Sequence, residues 1–213
     1  MREKCYSFPS TGKDLNMSTA KSVRKYIQSK KLGQLFVPAE LLHLGSRKAI
    51  DLELARLEKA GTIMRAARGV YVRPEIGKYV GAVPPGAKEV AIAKTGGPVE
   101  VQGAEAANRF GFSTQVPLKP IFYTAGPSRK IRLGNLPIEI RHVSPRKLVM
   151  PGTNIGMAFS ALWYLGKNEV SPNSFKVIKT RLSAQEYKQF KSKINMMPGW
   201  MAESFRQFEQ KYA

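Results

Sequence analysis

The chain has 213 residues, 43% of them hydrophobic and 23% charged, enough for one large domain or two small ones with cores of their own. Its 35 Lys and Arg outweigh 15 Asp and Glu, giving a net charge of +20 and a pI near 10.2, a field that favours polyanions. One cysteine (Cys5), two histidines (His43, His142) and two aspartates (Asp14, Asp51) leave no disulfide framework and no zinc-ligand spacing, and little material for a Ser-His-Asp triad.

Residues 1–16 are polar and without periodicity, so they are expected to form a flexible leader, with Met17 an alternative start. They contain no apolar run of the kind a secretory signal needs. The stretch "MSTAKSVRKYIQSKKLG" predicts a first helix, capped by Ser18 or Thr19 and closed by Gly33. Val23, Tyr26 and Ile27 face inward, and Lys21, Arg24, Lys25, Lys30 and Lys31 lie largely outside. "FVPAELLHLG" predicts a short second helix from Pro38 to Gly45. A third helix starts at Ser46, a natural cap, carries Ile50, Leu54 and Leu57 as its core stripe, and ends at Gly61. Leu52 falls off that stripe. "TIMRAARGVYV" reads as two short strands around a tight turn near residues 67–69. Helix, short helix, helix and hairpin within residues 17–74 is the order of a winged helix-turn-helix.

Past Pro74, "YVGAVPPGAKEV" is rich in Pro and Gly and predicts a linker over residues 75–88 before a second domain over 89–213. A helix is expected after the prolines, and "GAEAANRFG" predicts another short one. "TGGPVEVQG" (residues 95–103) matches no dinucleotide fingerprint, and no P-loop occurs. "KPIFYTAGPSRKIRLGNLPIEIRHV" is β in character, with a turn at residues 125–128 and a Gly134-Asn135 hairpin signal. "NIGMAFSALWYLG" predicts a buried helix; its longest apolar run, residues 158–165, is far too short to span a bilayer. The end is helical, with a capping box at Ser183 and Glu186, a face of Tyr187, Phe190 and Ile194, and a stripe of Met201, Phe205, Phe208 and Tyr212. The fold class is therefore α+β: an N-terminal winged helix-turn-helix, then a mixed α/β domain ending in helices.

In a helix-turn-helix the front of the third helix meets base edges in the major groove. Ser46 and the free amides behind it would receive a phosphate, and Arg47 and Lys48 would reach guanine or a phosphate. Asp51 would accept from a cytosine amino group or hold Arg47 through an i, i+4 pair. Arg65 and Arg68 flank the hairpin turn, where a wing meets backbone or minor groove. Tyr71 is read either as a phosphate contact or as wing packing. Lys21 is an inferred backbone contact from the first helix. In the second domain, Ser128, Arg129, Lys130 and Arg132 form a Pro-rigidified basic turn, read as an anion or partner contact or as a hairpin with exposed charges. Met196, Met197, Trp200 and Met201 are read as core packing or as a docking surface.

"LGSRKAIDLELARLEKAGTIMRAARGVYVRP" (residues 44–74) followed by "GFSTQVPLKPIFYTAGPSRKIRLG" (residues 111–134) resembles the AbiEi-like type IV antitoxin and transcriptional-regulator family. The likeness runs from about residue 17 to residue 166, in two blocks. It implies a repressor that binds inverted repeats in its own promoter through the winged helix. It also implies a second domain that counteracts a nucleotidyltransferase-type toxin, without a stable complex being required. The matching block carries over Ser46, Arg47, Asp51, Arg65, Arg68 and Tyr71 as DNA contacts; Lys48 is added on position alone.

The expected partner is double-stranded DNA, with no membrane association, no metal, no cofactor and no catalysis, in the cytoplasm of a bacterial or archaeal cell, which the lone cysteine fits. Two other readings stand beside it: a stand-alone regulator responding to a ligand or partner, and a nucleic-acid-processing enzyme using Glu100, Glu105 or Glu139. The shortage of aspartate weighs against the enzyme, because metal-dependent nucleases need clustered carboxylates.

Overall fold

The computed structural model describes residues 18–78 and 81–212. The expected leader and Met17 lie outside the described residues, as do Tyr79 and Val80 of the expected linker.

The N-terminal half is built from α1 (Thr19–Ser29), β1 (Leu35–Phe36), a 3₁₀ turn (Pro38–Leu44), α2 (Arg47–Lys59) and the hairpin β2 (Met64–Ala67) and β3 (Val70–Val72). Ser18 caps α1, its Oγ accepting the Lys21 amide at 3.4 Å, and Ser46 caps α2 by accepting from Ala49 at 3.3 Å. The expected second helix is 3₁₀. Pro38 opens it, and Glu40 Oε1 accepts the Val37 amide at 3.0 Å. The other Glu40 oxygen accepts from Tyr26 Oη at 2.7 Å and Lys30 Nζ at 3.0 Å, which ties the turn to α1. β1 has no counterpart among the expected elements. It pairs antiparallel with β3, which pairs with β2, giving a three-stranded sheet in the order β1-β3-β2. Val23, Ile27, Phe36, Leu41, Ile50, Leu54, Leu57, Ile63 and Tyr71 form the core beneath it.

The expected linker carries a short ladder, β4 (Ile76–Gly77) with β5 (Gly81–Ala82). α3 (Ala87–Thr95) follows, then β6 (Glu100–Val101), α4 (Gly103–Arg109), β7 (Ile121–Thr124), β8 (Arg129–Leu133) and β9 (Leu136–His142). The turn at residues 125–128 is present, but β7 and β8 are not paired through it. β9 lies between them, parallel to β7 and antiparallel to β8, in a sheet ordered β6-β7-β9-β8. The Gly134-Asn135 turn joins β8 to β9 as its sequence signal indicates.

The chain ends in α5 (Asn154–Glu169), α6 (Pro172–Arg181), α7 (Ala184–Lys193) and α8 (Gly199–Tyr212). α4 packs closely on α5: a Cβ at Gly103 would lie 2.6 Å from Tyr164 Cβ and 2.9 Å from the Ser160 carbonyl. Phe159 and Phe190 stack at 4.6 Å, while Phe205 and Phe208 of the α8 stripe pack on Phe175. Met197 and Met201 are buried and Met196 is exposed, so this segment contributes mainly to the core. Ser183 and Glu186 form the expected box: Ser183 Oγ accepts the Glu186 amide at 3.3 Å, and Glu186 accepts the Ser183 amide at 2.9 Å. Ser183→Ala is expected to cost about 1 kcal/mol, read as a fall of roughly 2–4 °C in Tm by calorimetry.

Both halves rest on the hairpin. A bulge between Arg65 and Ala67 turns Ala66 and Ala67 inward together, while Arg65 and Arg68 stay exposed. Ala66, Ala67 and Val70 belong to the core of the second half; Ile63 and Tyr71 belong to that of the first. Among the described residues, no helix is long and apolar enough to cross a membrane.

Candidate nucleic-acid interface

α2 is buried on one stripe and bare on the other. Ile50, Glu53, Leu54 and Leu57 face the core, while Arg47, Lys48, Asp51, Leu52, Ala55, Arg56 and Lys59 are exposed. Leu52, which the spacing left unexplained, therefore stands 53% exposed on the outward face beside Lys48. Arg47 Nε donates to both oxygens of Asp51, at 2.8 and 2.9 Å, so the i, i+4 pair is formed. Both side chains remain about half exposed (57% and 49%), which leaves the pair open to exchange for a ligand. No hydrogen bond or ion pair engages the Lys48 or Lys21 ammonium among the described residues. Lys21 sits one turn into α1, whose first residue, Thr19, packs against Gly45 just ahead of the Ser46 cap.

The hairpin meets the front of α2 at Tyr71. Its ring is buried and stacks on Phe36 at 6.0 Å, the packing alternative among the readings of this residue. Burial raises the pKa of its hydroxyl, which also feels Arg65, Glu58, Asp51 and Arg47. Gly69 takes the turn with φ of 73°, a left-handed conformation that suits glycine. The neighbouring Arg68 carbonyl accepts Lys94 Nζ at 2.7 Å, from the end of α3. The Lys94 carbonyl accepts in turn from Arg129 at 3.0 Å. Burial, then the Arg129 and Arg68 charges, hold the Lys94 pKa below the ordinary lysine value.

Two adjoining clefts meet at Lys94. One, of about 330 Å³, is bordered by Arg47, Gly69, Lys94 and Arg129. The other, of about 500 Å³, is lined by Arg68, Lys94, Lys119, Lys130 and Arg132 around Glu139. The structure thus joins Arg47 and Arg68 to Arg129, Lys130 and Arg132, which the sequence separates by roughly sixty to eighty-five residues. Ser128 serves the fold: its Oγ accepts the His142 amide at 2.8 Å and fixes the basic turn to β9. Lys94 and Lys119 are additions that the structure makes to the site; Lys119 lies within the 111–134 block, but nothing in its position there marks it as a contact. A basic residue in the last turn of a helix, as Lys94 is, is the one signal the sequence offers for them.

The three glutamates of the enzymatic alternative are engaged separately. Glu100 is buried and accepts the Gly152 and Val101 amides, each at 2.9 Å; burial raises its pKa. Glu105 pairs with Arg109. Glu139 is held by Arg141 and Lys119, which lower its pKa to about 2, so it stays charged through the neutral range. Among the described residues no three His, Cys, Asp or Glu side chains are grouped to hold a metal ion.

Residues 22–190, well over half of the chain and spanning both halves and the clefts between them, match DUF6088, a family of unknown function. The chain belongs to this family. No curated protein matches it. The DUF6088 match begins within α1 and ends in α7, so α8 lies beyond it.

Proposed function

We infer that this DUF6088 chain is a sequence-specific duplex-DNA-binding regulator that reads its site with α2 and the β2–β3 hairpin. The observation that carries the reading is the bare, basic face of α2, whose Arg47 opens onto the same cleft as the hairpin turn and Arg129. The element order and the β1-β3-β2 sheet support the winged helix-turn-helix reading. Arg47 and Lys48 take the base-edge positions at the front of α2. Arg65 and Arg68 take the backbone, and the cap at Ser46 presents free amides to a phosphate. Asp51 releases Arg47 or accepts from a base beside it. The net charge of +20 supplies the salt-dependent part of the affinity.

The autoregulatory and antitoxin roles are the second part of the proposal. They are supported by the resemblance of the two sequence blocks to AbiEi-like regulators. Under that reading the chain represses its own promoter and its second half counteracts a nucleotidyltransferase-type toxin encoded alongside. Co-expression with an adjacent gene of that class tests it: rescue of growth supports the role, and unrelieved toxicity removes it.

The DNA reading is tested by fluorescence anisotropy on the duplex upstream of the gene, against a scrambled duplex, at low and near-physiological salt. Preference for the native duplex that survives the higher salt supports it. Equal binding that vanishes with salt removes it. On this reading Leu52 lies where a thymine methyl is met, an apolar contact that needs an exposed leucine. Leu52→Ala is expected to cost about 1 kcal/mol of discrimination at one base pair and to leave the unfolding midpoint nearly unchanged. Unaltered preference at every position of the site would remove Leu52 from the reading face.

A further inference from the structure

The larger cleft is half-open and densely cationic. Its volume of about 500 Å³ is that of a small-molecule site, and a recess of this size does not admit a duplex. Five cations, Arg68, Lys94, Lys119, Lys130 and Arg132, line it from the hairpin turn, the end of α3, the segment before β7, and β8. The one carboxylate there, Glu139, is already shared between Lys119 and Arg141. The side chains of Lys130 and Arg132 are exposed and have no hydrogen-bond or ion-pair partner among the described residues. Like charges gathered this closely repel one another, and a polyanion is what relieves them. Pro137, exposed opposite Arg132, is the apolar residue on this face, while Ile131 and Ile138 are buried in the core behind it. Cations gathered around a recess of this size suit the phosphates of a small ligand, with Pro137 beside them.

We propose that this cleft binds a phosphorylated small ligand of nucleotide size, its phosphates on Lys130, Arg132, Arg68 and Lys94 and the rest of it beside Pro137. Arg68 belongs both to this cleft and to the hairpin, and its carbonyl holds Lys94. A bound ligand therefore competes for the hairpin's charge. That regulatory consequence rests on the DNA-binding reading; the ligand site itself does not.

The test is calorimetric titration of the full chain with ATP, inorganic pyrophosphate and adenosine, at near-physiological salt. Two double variants are compared: Lys130→Ala/Arg132→Ala in the cleft, and Lys167→Ala/Lys188→Ala, which removes the same charge from exposed sites on α5 and α7. The expected result is saturable binding of a single ATP, tighter than pyrophosphate and far tighter than adenosine. The cleft variant is expected to weaken it at least about tenfold, the control less than about twofold. No saturable binding, adenosine binding as well as ATP, or equal loss in both variants would overturn the proposal. Duplex binding, measured on the same proteins, separates the two readings. If the cleft variant loses the duplex and the native chain takes up neither ATP nor pyrophosphate, the cleft is part of the DNA face and the ligand site is overturned. If ATP binds as expected and no duplex is preferred, the ligand site stands and the DNA reading falls.

Discussion

Replacing Arg47 with alanine is expected to lower affinity for the specific duplex by about 1–3 kcal/mol, roughly five- to 150-fold, while scrambled duplex binds much as before. The asymmetry follows from geometry. Arg47 stands at the front of α2, and its only side-chain partner among the described residues, Asp51, is an exposed neighbour one turn along. Losing a pair of that kind costs about 0.3–0.5 kcal/mol of stability, so the protein should unfold almost where it did. Lys21→Ala is the contrasting case, a cation on α1 rather than on α2. It should weaken every sequence alike and reduce the salt slope by about one. Anisotropy titrations over a salt series check both. An Arg47→Ala protein that loses native and scrambled duplex equally would make Arg47 a backbone contact and move the reading of bases elsewhere.

The second large effect concerns folding. Glu53 is 1% exposed in the middle of the α2 core stripe, with Arg24 Nε of α1 at 2.6 Å from one oxygen. Its other oxygen has no hydrogen-bond partner among the described residues, and Arg56 lies 3.6 Å away. Arg24→Met would strand a buried carboxylate, a change expected to cost about 3–5 kcal/mol and to lower Tm by roughly 6–20 °C for a chain of this size. Replacing the pair together, Arg24→Met with Glu53→Leu, should recover most of that loss, because the double variant no longer leaves a buried carboxylate without its half-exposed cation. Calorimetry of the single and double variants decides it. A single variant that unfolds within a degree or two of the parent would mean that water or Arg56 already satisfies Glu53.

Glu53 also shows where the sequence is opaque. Its position, three residues past Ile50 and one before Leu54, lies on the core side of the helix, yet glutamate reads as a surface residue because it is almost never buried unpaired. The partner that permits its burial sits 29 residues earlier, on another helix. The parts of the fold that are legible are local. The caps at Ser18, Ser46 and Ser183, the Ile50/Leu54/Leu57 stripe and the Gly134-Asn135 turn each depend on neighbours in the chain. Non-local pairings are not legible. β1 is two residues long and carries no periodic signal, and the insertion of β9 between β7 and β8 leaves no trace in the turn that links those strands. The interface divides the same way. Arg47, Lys48, Arg65 and Arg68 follow from helix and turn positions, as do Lys130 and Arg132 from theirs. That the two groups share one cleft, with Lys94 between them, depends on how the halves pack. Leu52 is visible in the sequence as an anomaly whose meaning requires the surface around it.

The hairpin that serves two cores also sets how the molecule can be divided. A fragment ended after Pro74 would retain every residue proposed to touch DNA, yet it would leave Ala66, Ala67 and Val70 with nothing to pack against and release the Arg68 carbonyl from Lys94. The part proposed to read DNA is therefore tied to the second half through shared packing, and a substitution, ligand or bound protein that alters the sheet and helices behind it is expected to change the seating of the hairpin as well.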